Sequence, residues 1–182
     1  MSSSVTRALM RGAALGACAG WLLGVGAVPA GAHAPAAPTP AKPARARAKT
    51  TGFRCPVGPI KQVTNSFGDA RGGGRRHQGI DIMAPYDSPI YAVEAGVILR
   101  AYNNRRGGLS ISLRANSGVE YFYTHQSANL VKNGQTVAAG QLIGRVGTSS
   151  NAAGKSPHVH FEKLLPGRRP VDPYGVVKAA CG

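Results

Sequence analysis

Short runs of alternating apolar and polar residues dominate the chain after residue 50. The segments LSISLRA (109–115) and VEYFYTH (119–125) alternate with a period of two and flank Asn116-Ser117-Gly118, which predicts a β-hairpin. Further short apolar runs, cut by glycines, occur in SPIYAVEAGVILRAY, GQTVAAGQLIGRVG and HVHFEKLL, and no amphipathic helix of useful length is evident. We therefore predict an all-β, or nearly all-β, domain over residues 51–182.

The N-terminal segment has a different pattern. Two arginines precede an apolar run over residues 12–31, and Ala32-His33-Ala34 follows it. This is typical of a secretory signal peptide, here residues 1–34, with cleavage after Ala34. The run is also long enough to serve as an uncleaved anchor, although it is rich in Gly and Ala. Lipid attachment at Cys18 is a third alternative, but the apolar run continues beyond that residue.

Composition separates the predicted domain from a linker and suggests a partner. Residues 35–50, PAAPTPAKPARARAKT, lack large apolar groups and predict an extended linker. The net charge is +15, and loss of Arg7 and Arg11 with the signal peptide lowers it by two. A chain with this positive net charge is expected to bind a polyanion. An exported protein rarely meets nucleic acid, so we expect anionic cell-wall polymers, unless the charge merely reflects genome composition.

Two cysteines remain after removal of the signal peptide. Cys55 and Cys181 bracket nearly all of the predicted domain. An even pair in an exported protein predicts a disulfide, which would tie the first strand to the C-terminal tail. The alternative is two free or zinc-binding thiols, although neither cysteine lies in a CxxC motif.

Histidine placement suggests a metal site. His77 and Asp81 form an HxxxD motif in RRHQGIDI. In a straight strand they would lie about 13 Å apart, too far to share one ion through bonds of about 2 Å. A bend at Gly79 would bring them together, because glycine accepts unusual backbone angles.

The other histidines lie on predicted strands. His158 and His160 point to the same side by strand parity, as a two-point ligand set or as an exposed pair. His125 shares a face with Tyr121 and Tyr123 by the same parity. Two histidines and one aspartate supply three ligands and leave a fourth tetrahedral position for water, as in catalytic zinc sites. The chain has no HExxH motif.

Three motifs resemble a known family. HQGIDI, YTHQS and PHVHFE, in this order, resemble the M23 (LytM-type, lysostaphin-like) peptidoglycan endopeptidases over about residues 66–162. The resemblance implies that His77, Asp81 and His160 bind one Zn²⁺ and that His125 and His158 are catalytic. It also implies a mostly antiparallel β-sheet with a substrate groove.

The same resemblance implies a secreted zinc metallo-endopeptidase that cleaves peptidoglycan stems or cross-bridges. Its expected partners are peptidoglycan and anionic wall polymers, and we expect a monomer without stable membrane insertion after signal cleavage. One rival is a non-enzymatic wall-binding or hydrolase-activating protein that keeps the fold. Another is a zinc protease that acts on proteins or free peptides.

Some positions beside the motifs remain open. Glu162 shares the face of His158 and His160, so it could orient a ligand or be an ordinary strand carboxylate. Gln126 and Val159 stand where the family often has Leu, and NAAGKSP (151–157) replaces a Thr-Gly-rich loop. We expect these departures to line the groove and to affect substrate preference.

Overall fold

A ten-stranded antiparallel β-sheet is the main element of the described residues. The computed structural model describes residues 52–182, so the predicted signal peptide and the linker over 35–50 lie outside the described residues. The elements are β1 Gln62–Val63, β2 Ala70–Arg71, β3 Arg75–Arg76, β4 Ile80–Met83, β5 Pro89–Tyr91, β6 Gly96–Asn104, β7 Gly108–Ala115, β8 Glu120–Asn129, β9 Thr136–Val137, β10 Leu142–Val146, a 3-10 turn Ser150–Ala152, β11 His158–Leu165, β12 Arg169–Val171 and α1 Tyr174–Cys181.

The strand order inserts the last long strand between earlier ones. Across the main sheet the order is β1-β4-β11-β8-β7-β6-β9, and all pairings are antiparallel. Strand β8 pairs with β7 along one edge. Along its other edge it pairs first with β11 and then with β10. The all-β prediction and the β7–β8 hairpin are therefore confirmed.

Alternation on β4 and β11 separates core from cleft. Ile80 and Ile82 of β4, and Val159 and Phe161 of β11, are completely buried. The ring of Phe161 packs edge-on against Tyr123 of β8, with centroids 5.1 Å apart. Because strand side chains alternate between faces, the residues between these apolar positions point to the opposite side of the sheet.

The short helix α1 was not evident from the sequence. It spans two turns, too few for a clear 3.6-residue pattern, and packing on the core stabilises it instead. Val177 is completely buried, and Asp172 Oδ1 accepts a hydrogen bond of 2.8 Å from the Tyr174 backbone N–H. Cys181 ends the helix and forms the predicted disulfide with Cys55. Within residues 52–182, no helix has the length and apolarity that a membrane crossing requires.

Candidate metal centre

The pairing of β4 with β11 places a carboxylate opposite a histidine. Asp81 is the cross-strand partner of His160, and Met83 is the partner of His158. Asp81 of β4 and His158, His160 and Glu162 of β11 face one cleft, which has a volume of about 340 Å³. Strand register therefore brings together residues that lie far apart in the sequence.

His77 reaches the same cleft through a bend in the chain at Gly79. Its Nε2 lies 3.4 Å from Asp81 Oδ1. A Cβ atom at position 79 would lie only 2.2 Å from the carbonyl oxygen of Phe161, so the close approach of β11 requires glycine here. The predicted bend is confirmed, but its cause is this close approach and not an unusual backbone angle, because Gly79 does not have a positive φ.

Hydrogen bonds orient both imidazoles toward one point. His77 Nδ1–H donates to the Ser66 carbonyl over 2.7 Å, and His160 Nε2–H donates to Glu162 Oε1 over 2.8 Å. These partners only accept, so His77 Nε2 and His160 Nδ1 are left to face the interior of the site. Of the two roles left open for Glu162, the contact supports the orienting one.

The three inward-facing atoms lie close enough to bind one ion. His77 Nε2 lies 2.7 Å from His160 Nδ1, and Asp81 Oδ1 lies 3.3 Å from His160 Nδ1. Atoms bound to one ion through bonds of about 2 Å lie at most about 4 Å apart. Two neutral imidazoles facing each other through lone pairs would repel, so the arrangement requires a cation between them, either a proton or a metal.

The electrostatics of the metal-free site indicate where that proton resides. Burial lowers the pKa of His160, but its hydrogen bonds with Asp81 and Glu162 outweigh burial and raise that pKa to about 9. Burial also disfavours the charged form of Asp81, yet hydrogen bonds with His160 and His77 hold the pKa of this carboxyl well below its usual range. At neutral pH the metal-free site therefore holds a proton on His160 beside an ionised Asp81.

A second pair of histidines lies beside this cluster. His125 and His158 are 7% and 8% exposed, and their ring centroids lie 5.0 Å apart. His125 Nδ1–H donates to the Ser149 carbonyl and His158 Nδ1–H to the Ser156 carbonyl, over 3.1 and 2.8 Å. Each ring therefore keeps an unprotonated Nε2 when it is neutral.

Burial and the neighbouring His158 lower the pKa of His125 to about 4. This ring is consequently neutral at pH 7, because desolvation and a nearby like charge both disfavour the imidazolium. A neutral imidazole with a free Nε2 can accept a proton from a bound water or a polar substrate group.

The predicted face of His125 was wrong. Tyr121 and Tyr123 are buried in the core, whereas His125 lines the cleft with Phe122 and Thr124. A register shift interrupts β8 against β7 at this point, and His125 has a φ of 64°. A β-bulge adds one residue to a strand and reverses the parity beyond it, so a strict period of two fails here.

Two of the expected groove residues were also placed wrongly. Gln126 and Val159 are completely buried, not in the cleft. Of the departures from the family pattern, only the loop over 151–157 reaches the cleft, through Asn151, Ala152 and Lys155.

Sequence reasoning missed the role of the β2–β3 hairpin. Arg71 donates from its guanidinium to Asp81 Oδ2 over 3.3 Å. The contact leaves Asp81 Oδ1 free to face the two imidazoles. No alternation of apolar and polar residues marks GDARGGGRR (68–76) as a hairpin, and the one available signal was its position directly before the HxxxD motif.

Comparison with known sequences identifies the family. The profile of peptidase family M23 matches residues 75–173, which is more than half of the chain. The chain belongs to peptidase family M23. Among curated proteins, the L-Ala--D-Glu endopeptidase of Bacillus subtilis is 38% identical over 118 residues. The match covers 60% of this M23 chain but only 36% of that relative.

Solved peptidase structures share the fold. The catalytic domain of the antimicrobial peptidase lysostaphin from Staphylococcus simulans superposes with a TM-score of 0.58 and 30% identity, covering 64% of this chain and 92% of that domain. A zinc-containing peptidase from Vibrio cholerae superposes with a TM-score of 0.59 and 31% identity, covering 66% of this chain and 38% of that one. These similarities confirm the predicted family and its antiparallel β fold.

The donor set of this M23 domain fits a catalytic metal. His77, Asp81 and His160 offer two imidazole nitrogens and one carboxylate oxygen, all within 4.8 Å of one another. Three such ligands suit Zn²⁺ and leave one tetrahedral position open. The hydrogen bond from His160 to Glu162 matches the histidine–carboxylate contacts that fix zinc ligands in other proteins.

Proposed function

We propose that the protein is an extracytoplasmic zinc metallo-endopeptidase that hydrolyses peptide bonds in peptidoglycan stems or cross-bridges. One observation carries the proposal: three acceptor atoms converge beside two histidines, each with a free Nε2, in a single cleft. The relatives include proteins named peptidoglycan DD-endopeptidase, and these names support the substrate class. The Cys55–Cys181 disulfide supports an oxidising compartment.

Each cleft residue has a part in the proposed reaction. His77, Asp81 and His160 would hold the metal, which supplies a Lewis acid that lowers the pKa of water and polarises a carbonyl. His125 and His158 lie next to these ligands and are the proposed catalytic pair. One of them accepts a proton from the attacking water and the pair then returns a proton to the leaving amine.

His125 is available as a proton acceptor in the proposed reaction. Its low pKa keeps the ring neutral at pH 7. Once protonated, an imidazole with a low pKa releases its proton readily to a more basic leaving group. The transfer balances, because one water adds across the amide and yields a carboxyl and an amine.

Digestion of purified peptidoglycan tests the proposal. The Zn²⁺-loaded protein should release new amine ends, and mass spectrometry of the muropeptides should identify the bond. The chelator-treated protein should release none, and a His125→Ala variant should release them at least about 100-fold more slowly. Binding to the wall without new amine ends would favour the non-enzymatic rival. Cleavage of glycine-rich peptides but not of wall would favour a protease of other substrates.

A further inference from the structure

Cationic side chains line both walls of the cleft that holds the candidate metal centre. The lining includes five of them: Arg71, Arg75, Arg76, Arg106 and Lys155. Only two carboxylates line the same cleft, Asp81 and Glu162. The cleft therefore carries an excess of positive charge, separate from any metal charge.

The two carboxylates do not neutralise this excess, because both are already engaged. Asp81 faces the two metal-site histidines through Oδ1 and Arg71 through Oδ2. Glu162 accepts from His160 Nε2. Within residues 52–182, the other four cleft cations form no ion pair with a carboxylate of this chain.

The unpaired cations fall into two groups, one on the hairpin that leads into β4 and one on the β6–β7 turn with the loop before β11. Strands β4 and β7 flank β11 and β8, which carry His125, His158 and His160. Arg75 and Arg76 form β3, which runs directly into His77, and both are anchored by hydrogen bonds of 3.1 Å to carbonyls of Gly72 and Gly68. We call this group the hairpin wall.

The second group is the turn wall, formed by Arg106 and Lys155. Arg106 lies in the β6–β7 turn, whose Gly107 carbonyl accepts a hydrogen bond of 2.8 Å from the His125 backbone N–H. Lys155 lies in the loop before β11. The loops of the two residues meet where Ser150 Oγ donates to the Arg105 carbonyl.

From these two walls we infer that the preferred substrate is a peptide with free carboxylates on both sides of the scissile amide. This inference rests on the proposed function. Guanidinium groups bind carboxylates through paired, directional hydrogen bonds, and a cleft of one sign concentrates ligands of the other. Amidation of either carboxylate removes the charge but almost none of the volume, so it should weaken binding at the corresponding wall.

A phosphate-rich wall polymer is the competing occupant. It would also be attracted to the basic cleft, but the cations share that cleft with all four histidines. A ligand that neutralises both walls must therefore cross the reactive centre. A cleavable peptide satisfies that requirement, whereas a bound polymer would block it.

Four synthetic stem-type peptides test the inference: one with both carboxylates free, two with one amidated, and one with both amidated. We would measure kcat/KM on the full-length Zn²⁺-loaded protein. We would also measure Kd by calorimetry on its His125→Ala variant, which should bind without cleaving. Each amidation should weaken binding by about three- to tenfold, mainly through KM, as expected for partly exposed ion pairs.

Variants that remove one positive charge identify which wall recognises which carboxylate. Arg76→Gln should abolish discrimination at one carboxylate and Arg106→Gln at the other. Lys132→Gln, which removes an exposed cation that does not line the cleft, should change neither. Equal Kd values for all four peptides would overturn the inference. Inhibition of cleavage by poly(glycerol phosphate), together with equal kcat/KM values for the four peptides, would also overturn it. Discrimination in Kd without any cleavage would refute the proposed function, while showing that the two walls still recognise the carboxylates.

Discussion

At the residue scale, the four cleft histidines share one hydrogen-bonding arrangement. Each ring donates an N–H to a fixed oxygen, three times a backbone carbonyl and once Glu162. The tautomer is thereby set and the other nitrogen points toward the cleft. Whether that nitrogen serves as ligand or base depends on its neighbours: His77 and His160 both have the Asp81 carboxylate within 3.4 Å, whereas His125 has another histidine beside it.

Two alanine variants should separate these roles. His160→Ala removes one of three donor atoms and should abolish stoichiometric zinc binding. His125→Ala leaves all three donors and should keep zinc while it loses turnover by about 10²–10⁴-fold, the usual contribution of a general acid–base group. Metal analysis of both purified variants, together with the peptidoglycan digest, measures the two effects. Stoichiometric zinc in His160→Ala would refute the ligand assignment.

The affinity for zinc should depend on pH through His160. Its ordinary pKa of 6.5 is raised to about 9 in the metal-free protein, so zinc must displace a proton at neutral pH. The apparent affinity should rise by about tenfold per pH unit and level off near pH 9. Competition with a chelator of known pH dependence measures this profile. A flat profile between pH 7 and 8 would contradict it, and His125→Ala should reproduce the wild-type slope.

The same raised pKa affects the stability of the metal-free protein. A histidine whose pKa is higher in the folded state stabilises the fold most below its unfolded pKa, here 6.5, and loses that contribution as the pH rises through about 9. Denaturant unfolding of the chelated protein should therefore show a decline between pH 6.5 and 9. Bound zinc should remove the decline, because His160 is then unprotonated throughout.

At the element scale, two irregularities position the site. The bend at Gly79 brings His77 back toward Asp81, and the bulge at His125 turns that ring into the cleft. The bulge lies where β8 changes its partner from β11 to β10. The bulge bends β8 at the point where its other edge passes from β11 to β10.

Sequence patterns predicted the regular parts of the site but only one of these irregularities. The alternation of HVHFE separated His158 and His160 from the core residues Val159 and Phe161, because strand parity holds along β11. Parity failed at His125 because YFYTHQS contains no glycine to signal a bulge. The two-residue strands β1, β2, β3 and β9 are too short to show any period, and tertiary pairing defines them.

Replacement of Gly79 by alanine should damage the metal centre. The new Cβ would lie 2.2 Å from a backbone oxygen of β11, and backbone cannot yield as a flexible side chain does. We expect a loss of about 1–3 kcal/mol in the free energy of unfolding, typical of overpacking, and weaker zinc binding as His77 and Asp81 separate. Denaturant unfolding and metal titration measure the two losses.

Gly175→Ala is a matched control, because nothing lies within 4 Å of the added Cβ. Its helical position favours alanine over glycine, so this variant should be neutral or slightly stabilised and should bind zinc normally. Equal behaviour of the two variants would show that the close approach at Gly79 is not essential.

At the scale of the whole molecule, the fold assembles the site from three distant segments. The HxxxD segment enters with β4, His125 with β8 and the HxH motif with β11, and β11 inserts between the other two. The pairing of β11 with β4 adds one flank of the cleft, and the pairing of β11 with β8 adds the other. Because these contacts are long-range, we expect the site to form only when the sheet is complete.

The Cys55–Cys181 bond joins the two ends of this assembly. It closes a loop of 126 residues, and a closure of that length stabilises the fold by at most about 4–5 kcal/mol in the chain-entropy model. The paired variant Cys55→Ser/Cys181→Ser should therefore unfold at a lower denaturant concentration. Its zinc affinity under folding conditions should stay within about twofold of wild type, because neither cysteine lines the cleft. A large loss of affinity in molecules that remain folded would show instead that the bond directly shapes the metal centre.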